Sequence, residues 1–203
     1  KSTIEFQQDN YLEIFIESIL RTLDFNQNDS LIIGGDGRYW NDEAIIKIIQ
    51  ICIAHEVRKI IIPVNGILST PAASNLIRRK NAFAGIILSA SHNPGGINGD
   101  FGVKVNISNG GPAPEKVTEK VFKCSQRLMN YKFYDAKIPN FNEVGFFKIK
   151  NTSIEVIDGV DDYVALMENI FDLDQIADFL KNDFSIVFDA MNAVTGPYAK
   201  RIF

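Results

Sequence analysis

The residue around which chemistry can be organised is Ser91. It stands in Ser89-Ala90-Ser91-His92-Asn93-Pro94-Gly95-Gly96, directly after an apolar run. Pro94 stiffens the turn and pushes Asn93 away from helical geometry. Gly95 and Gly96 let backbone N–H groups approach a ligand closely. A loop of this kind can hold a phosphate, or hold a serine that carries one. A seryl phosphate brings about −1.5 to −2 charges at neutral pH. Phosphate monoesters hydrolyse so slowly that enzymes accelerate the reaction by up to ~10²¹. A serine phosphate can therefore rest in place and react only when an acceptor is positioned. His92 and Lys104 are near in sequence and are candidates for electrostatic or proton-transfer partners. The plainer reading has Ser91 capping a turn, His92 in solvent, and Lys104 pointing outward between Val103 and Val105.

The elements around the loop alternate between helix and strand. Residues 11–23 place Leu12, Phe15, Ile16, Ile19, Leu20 and Leu23 on one helical stripe, with Asn10 as its N-cap. Ser30-Leu31-Ile32-Ile33 is a strand that breaks into Gly34-Gly35-Asp36-Gly37-Arg38. Residues 42–56 read as a helix with Ala44, Ile45, Ile48, Ile49 and Cys52 inward, and residues 58–64 as a buried β-branched strand. Ser69 or Thr70 caps a helix that runs to about Lys80, with Pro71 in its first turn. Residues 84–89 form another apolar strand feeding the serine loop, and 102–107 a strand returning from it. A Gly-Gly-Pro turn at 110–112 precedes a helix over 113–130. Residues 131–153 read as a loop with one short strand, 161–171 and 173–180 as helices, and 184–188 as a new strand. This order predicts an α/β fold with a mixed, largely parallel sheet sandwiched by helices. Both glycine-bearing loops, 34–38 and 90–96, then lie beyond the carboxyl ends of strands, where such folds carry their sites.

Composition narrows the function classes. The chain has 203 residues, 46% hydrophobic and 23% charged, as an ordinary globular protein has. A net charge of −4 argues against a broad grip on nucleic-acid phosphates. No apolar run reaches the roughly 18 residues of a membrane span, and the opening KSTIEFQQDN carries no apolar signal segment. The two cysteines, Cys52 and Cys124, read as reduced thiols, Cys52 in the core. The 15 phenylalanines are dispersed and read as packing residues. Asp36 and Arg38 are read as a pair fixing the turn rather than as substrate ligands. His55 is read as a helix C-terminal partner, Tyr39 and Trp40 as packing residues, and Asp189 and Asn192 as turn and cap residues.

The serine loop does not stand alone. Gly34-Gly35-Asp36-Gly37-Arg38-Tyr39, Asn65-Gly66-Ile67-Leu68-Ser69-Thr70-Pro71, Gly99-Asp100-Phe101-Gly102-Val103-Lys104, the stretch 106–115 and the stretch 189–200 accompany it. In this order, over nearly the whole chain, these segments resemble the α-D-phosphohexomutase family in its phosphoglucomutase (parafusin-like) branch. The resemblance implies that residues 1–182 are that family's first domain, carrying the phosphoserine loop, and that 183–203 are the truncated start of a second, similar domain. It implies that Ser91 gives its phosphate to O6 of glucose 1-phosphate. The glucose 1,6-bisphosphate so formed turns over, Ser91 takes back the C1 phosphate, and glucose 6-phosphate leaves. Ser91, His92 and Lys104 are the implied catalytic residues. Lys104 acts as general base, and His92 and Lys104 also bind substrate. Mg²⁺ is the implied cofactor, bound to Ser91 through its phosphate, with the remaining ligands outside this chain. The implied partners are a hexose phosphate and the bisphosphate, in a cytoplasmic protein that is monomeric when full length.

Departures from the family accompany these expectations. Serine stands at 89 where most members have threonine, which adds a second hydroxyl that could be phosphorylated. The family's aspartate-rich metal loop, sugar-recognition loop and fourth-domain phosphate loop have no counterpart here, nor does the Thr-Ser-Gly-Leu-Arg segment expected before Lys1. The 203 residues are therefore expected to be inactive in isolation. Phosphomannomutase or bifunctional hexomutase activity is the alternative within the family, and a non-catalytic phosphoprotein the alternative outside enzymes.

Overall fold

In a computed structural model, residues 1–26, 29–182 and 184–203 are described. The elements in chain order are α1 (Thr3–Phe6), α2 (Tyr11–Thr22), β1 (Ser30–Gly35), α3 (Asn41–Ala54), β2 (Lys59–Pro63), a 3₁₀ turn (Val64–Gly66), α4 (Thr70–Arg79), β3 (Ala84–Leu88), β4 (Val103–Ile107), α5 (Glu115–Ser125), β5 (Gly145–Ile149), β6 (Thr152–Ile157), α6 (Asp161–Ile170), α7 (Leu173–Leu180) and α8 (Gly196–Ile202). The strands make one six-stranded sheet in the order β4-β3-β1-β2-β6-β5. The pairs β1–β2, β1–β3 and β2–β6 are parallel. The two outer pairs, β3–β4 and β5–β6, are antiparallel. The expected largely parallel sheet is observed.

Both faces of the central strands are buried, and the side chains divide between two cores by the two-residue period of a strand. Leu31 and Ile33 face α2 and α3, packing with Leu12, Ile16, Ile19, Ile45 and Ile48. Ile32, Ile61 and Ile87 face the other way, onto Leu76 and Ile77 of α4. The helical stripe of α2 is the reason it docks: Leu12, Ile16 and Ile19 have no exposed surface. Truncating a fully buried isoleucine such as Ile32 to alanine would cost about 2–5 kcal/mol. Helix α4 starts as expected, with Ser69 Oγ accepting from the Ala72 N–H at 3.3 Å and proline in the first turn. From β1 the chain turns first to β2 on one side and then to β3 on the other. The crevice between the carboxyl ends of β1 and β3 is therefore a topological switch point.

Several local expectations are corrected. Asn10 does precede α2, but it sits in the left-handed region at φ 65° and its side chain makes no capping bond. Helix α5 is shorter than 113–130: it starts after Pro114, its N-cap, and ends at Ser125 with Gln126 as C-cap. The region 131–153 contains more strand than expected: β5 and β6 form a hairpin on the outer flank of the sheet. The run 184–188 forms no strand. Phe184, Ile186, Val187 and Phe188 are about half exposed or more, and an apolar run becomes a strand only where another strand takes its backbone groups. Asp183, where the expected domain boundary falls, lies outside the described residues. Tyr39 is 47% exposed, whereas Trp40 packs edge-on against Phe101. Both cysteines are free, and burial of Cys52 pushes its thiol pKa up, as an inert core residue requires.

Helix α8 packs against α6 and the start of α4. Tyr198 is buried, touches Tyr163 edge-on, and accepts the Ser69 N–H on its phenol oxygen at 3.1 Å. Arg201 reaches Asp158 at 2.9 Å and also Asp161. Burial would push the Asp158 carboxyl up, but the Val160 N–H and Arg201 outweigh it and hold it below the ordinary aspartate range.

Candidate functional site

The β1–β3 register sets Gly35 opposite Leu88, so the loops after the two strands leave the sheet side by side. The Asp36 N–H donates to the Leu88 carbonyl at 3.0 Å, and the chain then turns at Gly37, whose φ of 77° suits glycine. On the other side, the Ser89 N–H donates to the Gly102 carbonyl at 2.9 Å and closes the base of the serine loop. A side chain at Gly102 would meet the Ser89 carbonyl at 2.5 Å, so this closure requires glycine.

Ser91 is exposed and has φ 54°, in the left-handed region that serine seldom adopts. Three hydrogen bonds hold it. Its N–H donates to Ser89 Oγ at 3.1 Å. Its carbonyl accepts from Arg38 Nη2 at 3.3 Å. Its Oγ accepts from Lys104 Nζ at 2.7 Å. Lys104 reaches the serine because strand alternation turns it away from Val103 and Val105, which pack on the α2–α3 side. The outward-pointing reading of Lys104 is overturned by this bond. Ser89 is buried and its oxygen is taken by the Ser91 N–H, which leaves it poorly placed for modification.

The rest of the loop is tied down at its far end. Asn93 Nδ2 donates to Asp100 Oδ2 at 2.6 Å. Thr3 donates from its N–H to the Gly99 carbonyl at 2.8 Å and from its hydroxyl to Gly96. The Phe101 N–H donates to the Lys1 carbonyl at 2.8 Å, so the first residues of the chain act as a brace. No local sequence signal marks that contact, which joins residues nearly a hundred positions apart. The Asp36–Arg38 pair is present at 2.8 Å, as expected, but Arg38 also spans to the serine loop.

Ser91 and His92 line a cavity of about 840 Å³, together with Arg38, Ser69, Thr195 and Tyr198. His92 is exposed at its edge. The cavity is thus roofed partly by the segment leading into α8. A separate cleft of about 640 Å³ lies between α2 and α5. It is walled mainly by apolar side chains such as Phe15, Val105 and Val121 and brings no nucleophile to a base. A nucleophilic oxygen, a lysine bonded to it and a cavity large enough to admit a hexose phosphate occur together at the β1–β3 crevice.

His55 is the C-cap of α3, as expected, and its ring makes a contact that the helix position alone does not announce. The ring sits 2.7 Å from the buried carboxylate of Glu17, which also accepts from Arg21 at 2.5 Å and from the Lys132 N–H at 2.9 Å. Through Lys132 this cluster ties the segment after α5 to α2 and the end of α3. That segment continues to Phe141, whose carbonyl accepts the Asn65 N–H at 2.8 Å.

Comparison with known proteins defines the class. Residues 1–132 match the phosphoglucomutase/phosphomannomutase family over its alpha/beta/alpha domain I. The chain belongs to that family. Proteins named as phosphoglucomutases are among those it is similar to. The phosphoglucomutase of Rhizobium radiobacter is 50% identical over 197 residues, covering 97% of this chain and 36% of its own length. Phosphoglucomutase-1 of Dictyostelium discoideum is 45% identical and covered over 37% of its length. The structure of the Paramecium exocytosis-sensitive phosphoprotein pp63/parafusin, a phosphoglucomutase in its open form, superposes with a TM-score of 0.94 at 38% identity, over 100% of this chain and 39% of that one. The chain thus spans about a third of the length of the relatives it matches.

The described residues do not by themselves fit a magnesium ion. Asp36 and Asp100, the carboxylates beside the loop, are each held by another side chain. Among the described residues no group of three or more His, Cys, Asp or Glu converges. No helix of the described residues is long and apolar enough to cross a membrane.

Proposed function

We propose that the chain is the N-terminal, phosphoserine-bearing part of a phosphoglucomutase, interconverting glucose 1-phosphate and glucose 6-phosphate through glucose 1,6-bisphosphate. Residues 1–182 are its first domain and 183–203 the beginning of the second. The observation that carries the reading is the 2.7 Å bond from Lys104 Nζ to Ser91 Oγ at the mouth of a cavity.

In the first transfer the bond between Ser91 Oγ and phosphorus breaks as one forms between phosphorus and sugar O6. The O6 hydroxyl loses a proton and Ser91 Oγ gains one. Lys104, bonded to Oγ, carries that proton. In the second transfer Ser91 Oγ attacks the C1 phosphate of the bisphosphate, and the proton returns through Lys104 to sugar O1. Lys104 is then base when the serine attacks and acid when it leaves. His92, at the edge of the cavity, hydrogen-bonds sugar or phosphate oxygens. A phosphate on Ser91 would supply one magnesium ligand, and the remaining ligands would have to come from outside this chain. The proposal includes a cytoplasmic, monomeric full-length enzyme, and an isolated 203-residue chain without turnover.

The test is conversion of glucose 1-phosphate by the full-length protein, with Mg²⁺ and a trace of bisphosphate, comparing wild type with Ser91→Ala. Turnover lost in the variant supports the carrier role. Turnover retained removes Ser91 from the mechanism.

A further inference from the structure

Resting on Ser91 as the phosphoryl carrier, we infer that Arg38 is the positioning residue that fixes Ser91 in its left-handed conformation, by gripping the Ser91 and Asp100 carbonyls together across the mouth of the serine loop.

Arg38 is nearly buried, its side chain 7% exposed. Its planar fork is engaged on three sides. Nε and Nη2 donate to the Asp36 carboxylate at 2.9 and 2.8 Å. Nη1 donates to the Asp100 carbonyl at 2.6 Å. Nη2 also reaches the Ser91 carbonyl at 3.3 Å. Those two carbonyls mark the start and end of the serine loop. One guanidinium therefore closes the loop at both ends.

Ser91 has need of such a clamp. A non-glycine residue at φ 54° persists only where its surroundings over-determine it. Of the three bonds that hold it, the one from Lys104 is to the reacting oxygen, and it must rearrange whenever Oγ gains or loses phosphate. The two backbone bonds, from Arg38 and to Ser89, are free to persist through the cycle. Asp36 orients the fork and balances its charge. It is itself fixed to β3 through its N–H on the Leu88 carbonyl. Lysine cannot replace this arrangement, because a single ammonium has no planar fork with which to reach a carboxylate and two carbonyls. Arg38 also lines the cavity, so the competing role is direct binding of the substrate phosphate.

The two roles separate kinetically. In the full-length protein, Arg38→Lys keeps the charge and loses the fork. A second variant, Asp36→Asn with Arg38→Gln, leaves no unpaired carboxylate and guards against misfolding. Both are expected to lower kcat by about 30–100-fold, in the range that small misplacements of a reacting group produce. KM for glucose 1-phosphate is expected to stay within about threefold, since uniform binding is untouched. Amide hydrogen exchange over residues 91–101 is expected to speed up while β1 and β3 keep their protection. A general loss of folding would speed exchange in the strands as well. A tenfold or greater rise in KM with kcat retained would make Arg38 a substrate ligand instead. A kcat within about twofold of wild type, or unchanged exchange in the loop, overturns the inference. If Ser91→Ala retains full turnover, the carrier reading fails separately, and the exchange measurement still decides whether Arg38 orders the loop.

Discussion

Replacing Glu17 with glutamine should weaken the fold more than any surface substitution, although the two side chains have nearly the same shape. Glu17 has no exposed surface and its carboxylate accepts from His55, Arg21 and the Lys132 N–H. Hydrogen bonds to a charged group contribute about 1.5–3 kcal/mol each. Breaking a buried charged cluster by removing one partner costs about 3–5 kcal/mol. Glutamine keeps one acceptor oxygen, and Arg21, 42% exposed, can turn to water, so the loss for Glu17→Gln should be about 2–3 kcal/mol. Glu17→Ala, which leaves His55 and the Lys132 N–H without an acceptor, should cost about 3–5 kcal/mol. Urea unfolding of the chain, followed by fluorescence of its one tryptophan, Trp40, measures both. The pH dependence is a second readout. Burial pushes the Glu17 carboxyl up, but the bonds from His55, the Lys132 N–H and Arg21 outweigh it and hold it below the usual glutamate range. A carboxyl lowered on folding stabilises the protein above its unfolded pKa, about 4.3 for glutamate, and that contribution is lost as pH falls through the lower folded value. Wild type should therefore lose stability more steeply below about pH 4.3 than Glu17→Gln does. A change under about 0.5 kcal/mol at neutral pH, the size of an ordinary surface substitution, would refute the assignment of a stabilising buried cluster.

Two further substitutions probe the site's surroundings. Tyr198→Phe leaves the buried Ser69 N–H without its acceptor and should cost about 1–3 kcal/mol, read as a lowered urea midpoint. No change would mean that α8 is not held through this bond. Lys104→Met removes the partner of Ser91 Oγ and should reduce kcat of the full-length protein by about 10²–10⁴-fold at an unchanged unfolding midpoint. Retained kcat would end its role in proton transfer.

Fold class and the position of the site were legible because they rest on strong local patterns. The buried runs at β1, β2 and β3 are apolar on both faces, and each of the two glycine loops follows such a run directly. The β5–β6 hairpin was not legible. It lies on the outer flank, its connection bears no glycine, and the left-handed turn residue is Lys150. Residues 184–188 have strand-forming side chains but no strand beside them, and propensity alone cannot supply a partner. At the site, Ser91, His92 and Lys104 were singled out from the serine loop and the family resemblance, and the structure bonds Lys104 to Ser91; the Asp36–Arg38 pair was expected from proximity. The reach of Arg38 to Ser91 and Asp100, the brace from Thr3 and the bond from Ser69 to Tyr198 join residues 53 to 129 positions apart. Contacts at that separation are set by how the loops leave the sheet, which no spacing within a motif encodes.

The most direct measurement follows the phosphoryl group itself. The full-length protein is labelled at its resting phosphate, the peptide containing Ser91 is isolated, and its label is counted before and after glucose 1-phosphate is added. Label that begins on Ser91 and passes into the sugar bisphosphate is the predicted result. A Ser91 peptide that never carries phosphate, or label that stays on it while sugar is converted, would contradict the phosphoserine mechanism.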